Sequence, residues 1–238
     1  MTKTYGQYCG LARALDLVGG RWSLLIVRDL LTGPKRFSEL EQGLPGIATN
    51  VLASRLRELE ETGLVRRSLV GPGSSSVVYE LTPYGRELEE PLVALGRWGA
   101  RLLGEPRAGD TFSSSSFAIG LRATFRPDRA GDRELGFEIH FGDRPLRVAV
   151  SRGRLSFPSD PTWEPRVVFE SRPEVLIDIL AGRLDLDRAL ASGKMQIGGP
   201  KRDARRFFEI FSWGPVGPNP DDVRTEHVAS MGPSDTRA

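Results

Sequence analysis

Cysteine and histidine are almost missing from this chain. One cysteine among 238 residues closes no internal disulfide and builds no thiolate zinc site. The two histidines, His140 and His227, stand too far apart in sequence to suggest a metal cluster. Long apolar runs are missing as well. No stretch approaches the ~20 residues of a membrane span, and the N-terminus lacks the charged-then-apolar order of a secretory signal. The expectation is a cytoplasmic protein without membrane insertion. Charge of one sign is scarce: 33 Lys and Arg against 31 Asp and Glu leave a net charge of +2. Generic attraction to polyanions is therefore no argument for nucleic-acid binding. Finally, no acid, base, nucleophile or metal group is brought together by spacing, and His140 lies in a strand-like run flanked by apolar neighbours. The chain reads as a non-enzyme that calls for no cofactor.

What is present is more specific. With 39% hydrophobic and 27% charged residues, the composition is that of a globular protein with one to two domains. The segment 47–63 organises the first half. Leu52, Leu56 and Leu59 recur at helical spacing, and Gly63 stops the helix before Leu64. The opposite face carries Thr49, Asn50, Ala53, Ser54 and Arg57, which are short or end in hydrogen-bonding groups. A helix that presses into a major groove ~12 Å wide needs such a slim face. Upstream, Phe37, Leu40 and Leu44 mark a shorter helix, and Leu44-Pro45-Gly46 supplies the turn. Downstream, the β-rich runs 64–70 and 77–81 flank a Gly- and Ser-rich tip without a cation. Helix, turn, helix and hairpin in this order describe a winged helix-turn-helix.

Several separated motifs now carry a family resemblance. The run from Leu15 through Gly19-Gly20-Arg21-Trp22 to Ile26, then Gly33-Pro34-Lys35-Arg36-Phe37-Ser38-Glu39-Leu40, Gly63-Leu64-Val65 and Tyr79-Glu80-Leu81-Thr82 resemble the HxlR-type winged-helix regulators, over about residues 8–103. The resemblance implies sequence-specific binding of double-stranded DNA by a homodimer. One departure is Ala48, where such proteins often carry a serine that caps the recognition helix. Alanine accepts no N–H bond, a loss of about 0.5–2 kcal/mol that Thr49 is expected to make good.

Around this motif, helices are expected from Cys9 to Val18, over 22–31, and over 83–103 with Pro83 in the first turn. The last carries a long apolar stripe, so Leu95, Trp98 and Leu102, with Leu11 and Leu15 of the first helix, are the expected dimer interface. Asn50 and Ser54 are expected on bases, with Thr49 beside them, and Lys35, Arg36, Arg57, Arg66 and Arg67 on phosphates. Cys9 has two readings: a redox sensor at a helix start, which the resemblance suggests, or a small buried hydrophobe.

Composition shifts to Gly, Pro, Asp and Ser over 105–116, a linker signal between a first domain (1–104) and a second (117–213), with a disordered tail over 214–238. Strands are expected over 119–125, 135–141, 146–150, 155–157 and 167–169. Ser171-Arg172-Pro173-Glu174 reads as a capping box before a helix ended by Gly182. A short helix over 186–191, a strand over 195–197 and a last helix over 200–211 complete an α+β order. The run 182–199 resembles sterol-carrier-protein type 2-like domains, which implies an apolar tunnel for a hydrophobic effector. Phe137, Phe141, Phe157, Trp163, Phe169, Leu176, Leu180, Met195, Phe207 and Phe211 are the candidate lining, with a filled core as the alternative. The fold class is thus α+β: a winged helix followed by a sterol-carrier-like domain. The leading function is a transcriptional regulator modulated by a hydrophobic ligand. Its rival is a lipid carrier whose winged helix serves only dimerisation.

Overall fold

A computed structural model describes residues 4–69, 76–100, 109–140, 145–160 and 162–211. The first half runs α1 (Gly10–Val18), α2 (Ser23–Leu30), α3 (Phe37–Gly43), α4 (Thr49–Glu61), β1 (Val65–Leu69), β2 (Val77–Leu81), α5 (Pro83–Arg86) and α6 (Glu89–Ala100). Its core joins Ile26, Val27 and Leu30 of α2 to Leu40 of α3 and to Leu52, Leu56 and Leu59 of α4. The three α4 leucines are fully buried, a gross contribution of roughly 5–9 kcal/mol to docking that helix. β1 and β2 pair antiparallel with Val65 opposite Leu81. Lys35 bonds Tyr79 through both main-chain groups and so ties the start of α3 to this hairpin.

The helix expected over 83–103 is two helices. Pro91 fits only the first turn of α6, where its missing N–H costs nothing. Thr82 caps α5 by accepting from Gly85 N and donates to Gly63 O at 2.6 Å. Gly85 sits so close to the main chain that a Cβ there would lie 2.1 Å from Leu64 O.

The second half runs α7 (Ser114–Thr124), α8 (Pro127–Ala130), β3 (Glu134–His140), β4 (Leu146–Ser151), β5 (Arg154–Ser156), β6 (Val167–Ser171), α9 (Pro173–Leu180), α10 (Leu186–Ala191), β7 (Met195–Gly198) and α11 (Lys201–Ile210). The sheet order is β5-β4-β3-β6-β7, with β3 and β6 parallel and the other pairs antiparallel. Alternation along β3 sends Leu135, Phe137 and Ile139 into the core, while Glu138 and His140 face outward. His140 donates to or accepts from Glu138 at 2.7 Å, and Arg147 bonds the same carboxylate at 3.0 Å. Burial pushes the Glu138 carboxyl upward, but these two partners outweigh it and hold it below its ordinary value.

Two expectations fail here. Residues 119–125 form no strand: 119–124 belong to α7 and Phe125 is its extended C-cap residue, and α7 starts inside the serine run read as linker, because Ser113 accepts from Ser116 N at 3.1 Å and caps it. Nor is there a capping box at Ser171, which ends β6; Arg172 is the N-cap residue of α9 and makes no side-chain cap bond.

α7 sits in both cores. Phe117, Ala118 and Leu121 pack in the C-terminal core, while Ile119 packs in the winged-helix core. Arg122 pairs with Glu89 of α6 at 2.5 Å, Arg97 of α6 donates to Ala123 O at 2.8 Å, and Thr32 and Ser115 hydroxyls meet at 3.4 Å.

Candidate nucleic-acid interface

α4 is oriented by its leucines and held by what surrounds them. Gly46, at φ +84°, turns the chain out of α3, and Ile47 N bonds Leu44 O at 3.1 Å. The helix begins at Thr49 with Ala48 as N-cap residue and no side-chain cap bond. Thr49 does not replace the cap: its hydroxyl donates to Glu41 at 2.6 Å, which fastens the start of α4 to α3. Arg55 performs a positioning task that the sequence did not reveal. It pairs with Glu58 and lies against Gly20, where a Cβ would meet the guanidinium at 2.5 Å. A side chain at Gly20 would have to push this guanidinium aside, so the α1–α2 turn and the Arg55 position on α4 are fitted to each other.

With the leucines inward, Asn50, Ala53 and Arg57 are exposed on one face at spacings of three and four. Asn50 and Arg57 have no side-chain partner among the described residues. Thr49 is exposed but engaged, and Ser54 is half-buried with its hydroxyl on Glu58 at 3.1 Å. The expected phosphate contacts divide in the same way. Arg36 is exposed at the start of α3, and its main-chain N–H donates to Glu39 at 2.7 Å. Lys35 is half-buried. Arg66 and Arg67 open the wing as expected but pair with Glu80 and Glu60, each at 3.0 Å, and Arg67 also lies 5.4 Å over the Tyr79 ring. Sequence separations of 14 and 7 hide such pairs from a one-dimensional reading. The wing tip, 70–75, lies outside the described residues.

Away from α4, the residues expected at a dimer contact are on the surface. Leu11 is 69% exposed and Trp98 63%, with Leu15 and Leu95 exposed beside them. Leu102 lies outside the described residues. Cys9 occupies the N-cap position of α1 and is exposed, which overturns its reading as a buried hydrophobe.

In the C-terminal half, Phe137, Phe169, Leu176, Leu180, Met195, Phe207 and Phe211 are buried in one cluster, with Phe157 half-buried against it. The Phe207 ring lies 5.1 Å from Phe137, 5.0 Å from Phe169 and 4.7 Å from Phe211. In this conformation those rings fill the layer between sheet and helices. Trp163 instead covers Gly136 on the opposite face of β3, and Phe157 lies under Arg122 with 4.9 Å from guanidinium to ring centre. Phe141 lies outside the described residues.

The first half is a winged helix with an exposed, slim recognition helix, and the comparisons agree in order and extent. Residues 17–106 match the model of the HxlR-like helix-turn-helix family, and residues 128–212 that of the SCP-2 sterol transfer family. An uncharacterized HTH-type transcriptional regulator of Bacillus subtilis (strain 168), YtcD, is 41% identical over 99 residues, covering 42% of this chain and 78% of that one. A second from the same organism, YvaP, is 40% identical over 86 residues, covering 36% and 80%. Among solved structures, the redox regulator HypR in its reduced form is 34% identical, covers 39% of this chain and 91% of its own, and superposes with a TM-score of 0.36. The chain belongs to the HxlR-like helix-turn-helix family. Its C-terminal half is an SCP-2 domain.

Proposed function

We propose that this protein is a homodimeric, sequence-specific DNA-binding transcriptional regulator whose C-terminal half adjusts its grip on DNA. The observation that carries the reading is α4 itself: its leucines are consumed by the core, and Asn50, Ala53 and Arg57 are left together on a face slim enough for a major groove. Regulators of transcription among the relatives support the same role. The residues committed to charge pairs refine the site. Asn50 reads bases, Arg57 and Arg36 meet phosphates, and Arg66, Arg67 and Ser54 contribute only where DNA displaces their carboxylate partners. The exposed faces of α1 and α6 join two copies, with Trp98 as anchor, because large aromatics dominate interface energetics.

We place the division between a DNA-binding half (1–104) and a sensing half (117–213), with α7 belonging to both. A hydrophobic effector is the proposed signal, supported by the SCP-2 match. Because the aromatic layer is packed ring against ring, such a molecule enters by parting α9 or α11 from the sheet. Phe117 and Leu121 then pass the displacement to α7.

Selection of binding sites from random duplexes tests the central reading. Asn50→Ala should relax preference at one base pair and cost about 1–3 kcal/mol, whereas Arg36→Ala should weaken all sequences alike and reduce the salt slope. Identical selected sequences and affinities for Asn50→Ala and wild type would refute the assignment.

A further inference from the structure

Far along the chain from α4, four arginines surround a surface cavity of about 220 Å³. Arg202, Arg205, Arg206 and Glu209 lie at spacings of three and four on one face of α11, and Arg133 approaches from the chain entering β3. Leu135, nearly buried at the edge of the core, forms part of the wall. Two carboxylates also line the cavity, and both are already engaged. Asp203 accepts from Arg166 Nε at 2.6 Å, and Glu209 accepts from Arg206. Arg205 reaches out of the cavity to Asp187 at 2.5 Å. Among the described residues Arg133 donates only to Ala130 O, at 3.2 Å, and Arg202 is exposed and has no partner.

With the partners Arg166 and Asp187 counted beside the lining residues, five guanidiniums stand against three carboxylates, an excess of two positive charges that Arg133 and Arg202 carry at the hollow. A solvated basic surface spreads its cations outward; here Arg133, Arg202 and Arg206 border one concavity. Guanidinium is the side chain whose planar fork matches an oxyanion. We propose that this cavity is a binding site for a phosphate group, independent of the DNA-binding reading. Charge selects phosphate over carboxylate, because a phosphate monoester carries ≈ −1.5 to −2 near neutral pH and so balances the excess. Size selects a phosphate group over a whole enclosed metabolite, since the cavity falls below the ~300 Å³ where sites for drug-sized ligands begin. The phosphate can belong to a soluble molecule or to the headgroup of an anionic phospholipid.

Isothermal titration of the full-length protein with inorganic phosphate, and flotation with phosphatidylcholine vesicles with and without phosphatidic acid, test this. Arg202→Glu and Arg133→Glu replace exposed residues, so circular dichroism and thermal midpoints should match the wild type. Each should weaken the response at least tenfold, Arg202→Lys should retain part of it, and Asn50→Ala should leave it unchanged. A response to inorganic phosphate identifies a soluble source; a response only to phosphatidic acid identifies the headgroup. Binding of neither, binding indifferent to both charge reversals, or an Arg202→Glu defect seen with duplex DNA alone would each overturn the proposal.

Discussion

Ile119→Ala separates a helix shared by two cores from a mere connector. Ile119 is 8% exposed and packs in the winged-helix core, its Cγ2 3.6 Å from the Cβ that Gly96 of α6 would carry. The substitution removes three carbons, ~0.8 kcal/mol each in transfer, and the cavity left behind raises the cost to about 2.5–4 kcal/mol. For a chain of this size that lowers Tm by roughly 5–15 °C. The informative readout is hydrogen exchange followed segment by segment on the full-length protein. If α7 makes the two halves one cooperative unit, amides of α2 and of β3 and β6 exchange faster together, by about 60- to 700-fold at 1.4 kcal/mol per decade. The amides of α2 alone losing protection, with β3 and β6 as in wild type, would refute the coupling and leave α7 a tether.

Asp29, 1% exposed beside α7, is held above the ordinary carboxylate value by burial, against the downward pull of Arg28 and Lys35. Its folded form therefore favours the proton: its contribution is full below about 3.8 and lost as pH rises through the raised value. The stability of wild type relative to Asp29→Asn should thus fall from acid to neutral pH in denaturant titrations, and a rising difference would contradict this. Gly85→Ala drives a Cβ onto Leu64 O and should cost about 1–3 kcal/mol by thermal unfolding, whereas Gly63→Asn, at a left-handed position with open space, should cost less. Trp98→Glu should shift the proposed dimer towards monomer in sedimentation at micromolar concentration; an unaltered assembly would remove α6 from the interface.

The legible parts of this fold bury one face. Leu52, Leu56 and Leu59 spell out α4 because only one side of that helix meets the core, and Leu135, Phe137 and Ile139 alternate along β3 for the same reason. α7 breaks that condition. Its apolar residues face two cores, so Ile119 and Leu121, followed by Phe125 just past its end, imitate the alternation of a strand, while the serines that start it imitate a linker. Of the candidate interface, the exposed face of α4 was readable from residue size and polarity. The pairing of Thr49 with Glu41, Ser54 with Glu58 and Arg67 with Glu60 was not, because those contacts depend on how α3, α4 and the hairpin lie in space. Pro91 was visible in sequence, yet the apolar stripe on both sides of it concealed that α5 and α6 are separate.

Because α7 sits in both cores, the proposed regulation would follow from packing rather than from a hinge. A ligand shifts a conformational equilibrium only by the difference in its affinity for the two states. In the proposed sensing half that difference must include the cost of parting rings that now touch, Phe207 against Phe137, Phe169 and Phe211. Once parted, the layer would no longer support Phe117 and Leu121 in their present places, and on the proposed reading α7 would move as a rod because its backbone bonds are internal. Its other side carries Ile119, Ser115 and the Arg122–Glu89 pair, all seated on α2 and α6. α2 packs on α3 and α4 through Ile26, Val27 and Leu30, and α6 carries the proposed dimer anchor. A shift of α7 would therefore act on two determinants at once, the seat of each recognition helix and the spacing between the two copies of the proposed dimer. A dimer reading half-sites one helical turn apart is sensitive to that spacing. A coupling of 1–3 kcal/mol, about 5–150-fold in affinity, then suffices to release an operator, and by reciprocity DNA should weaken effector binding by the same factor.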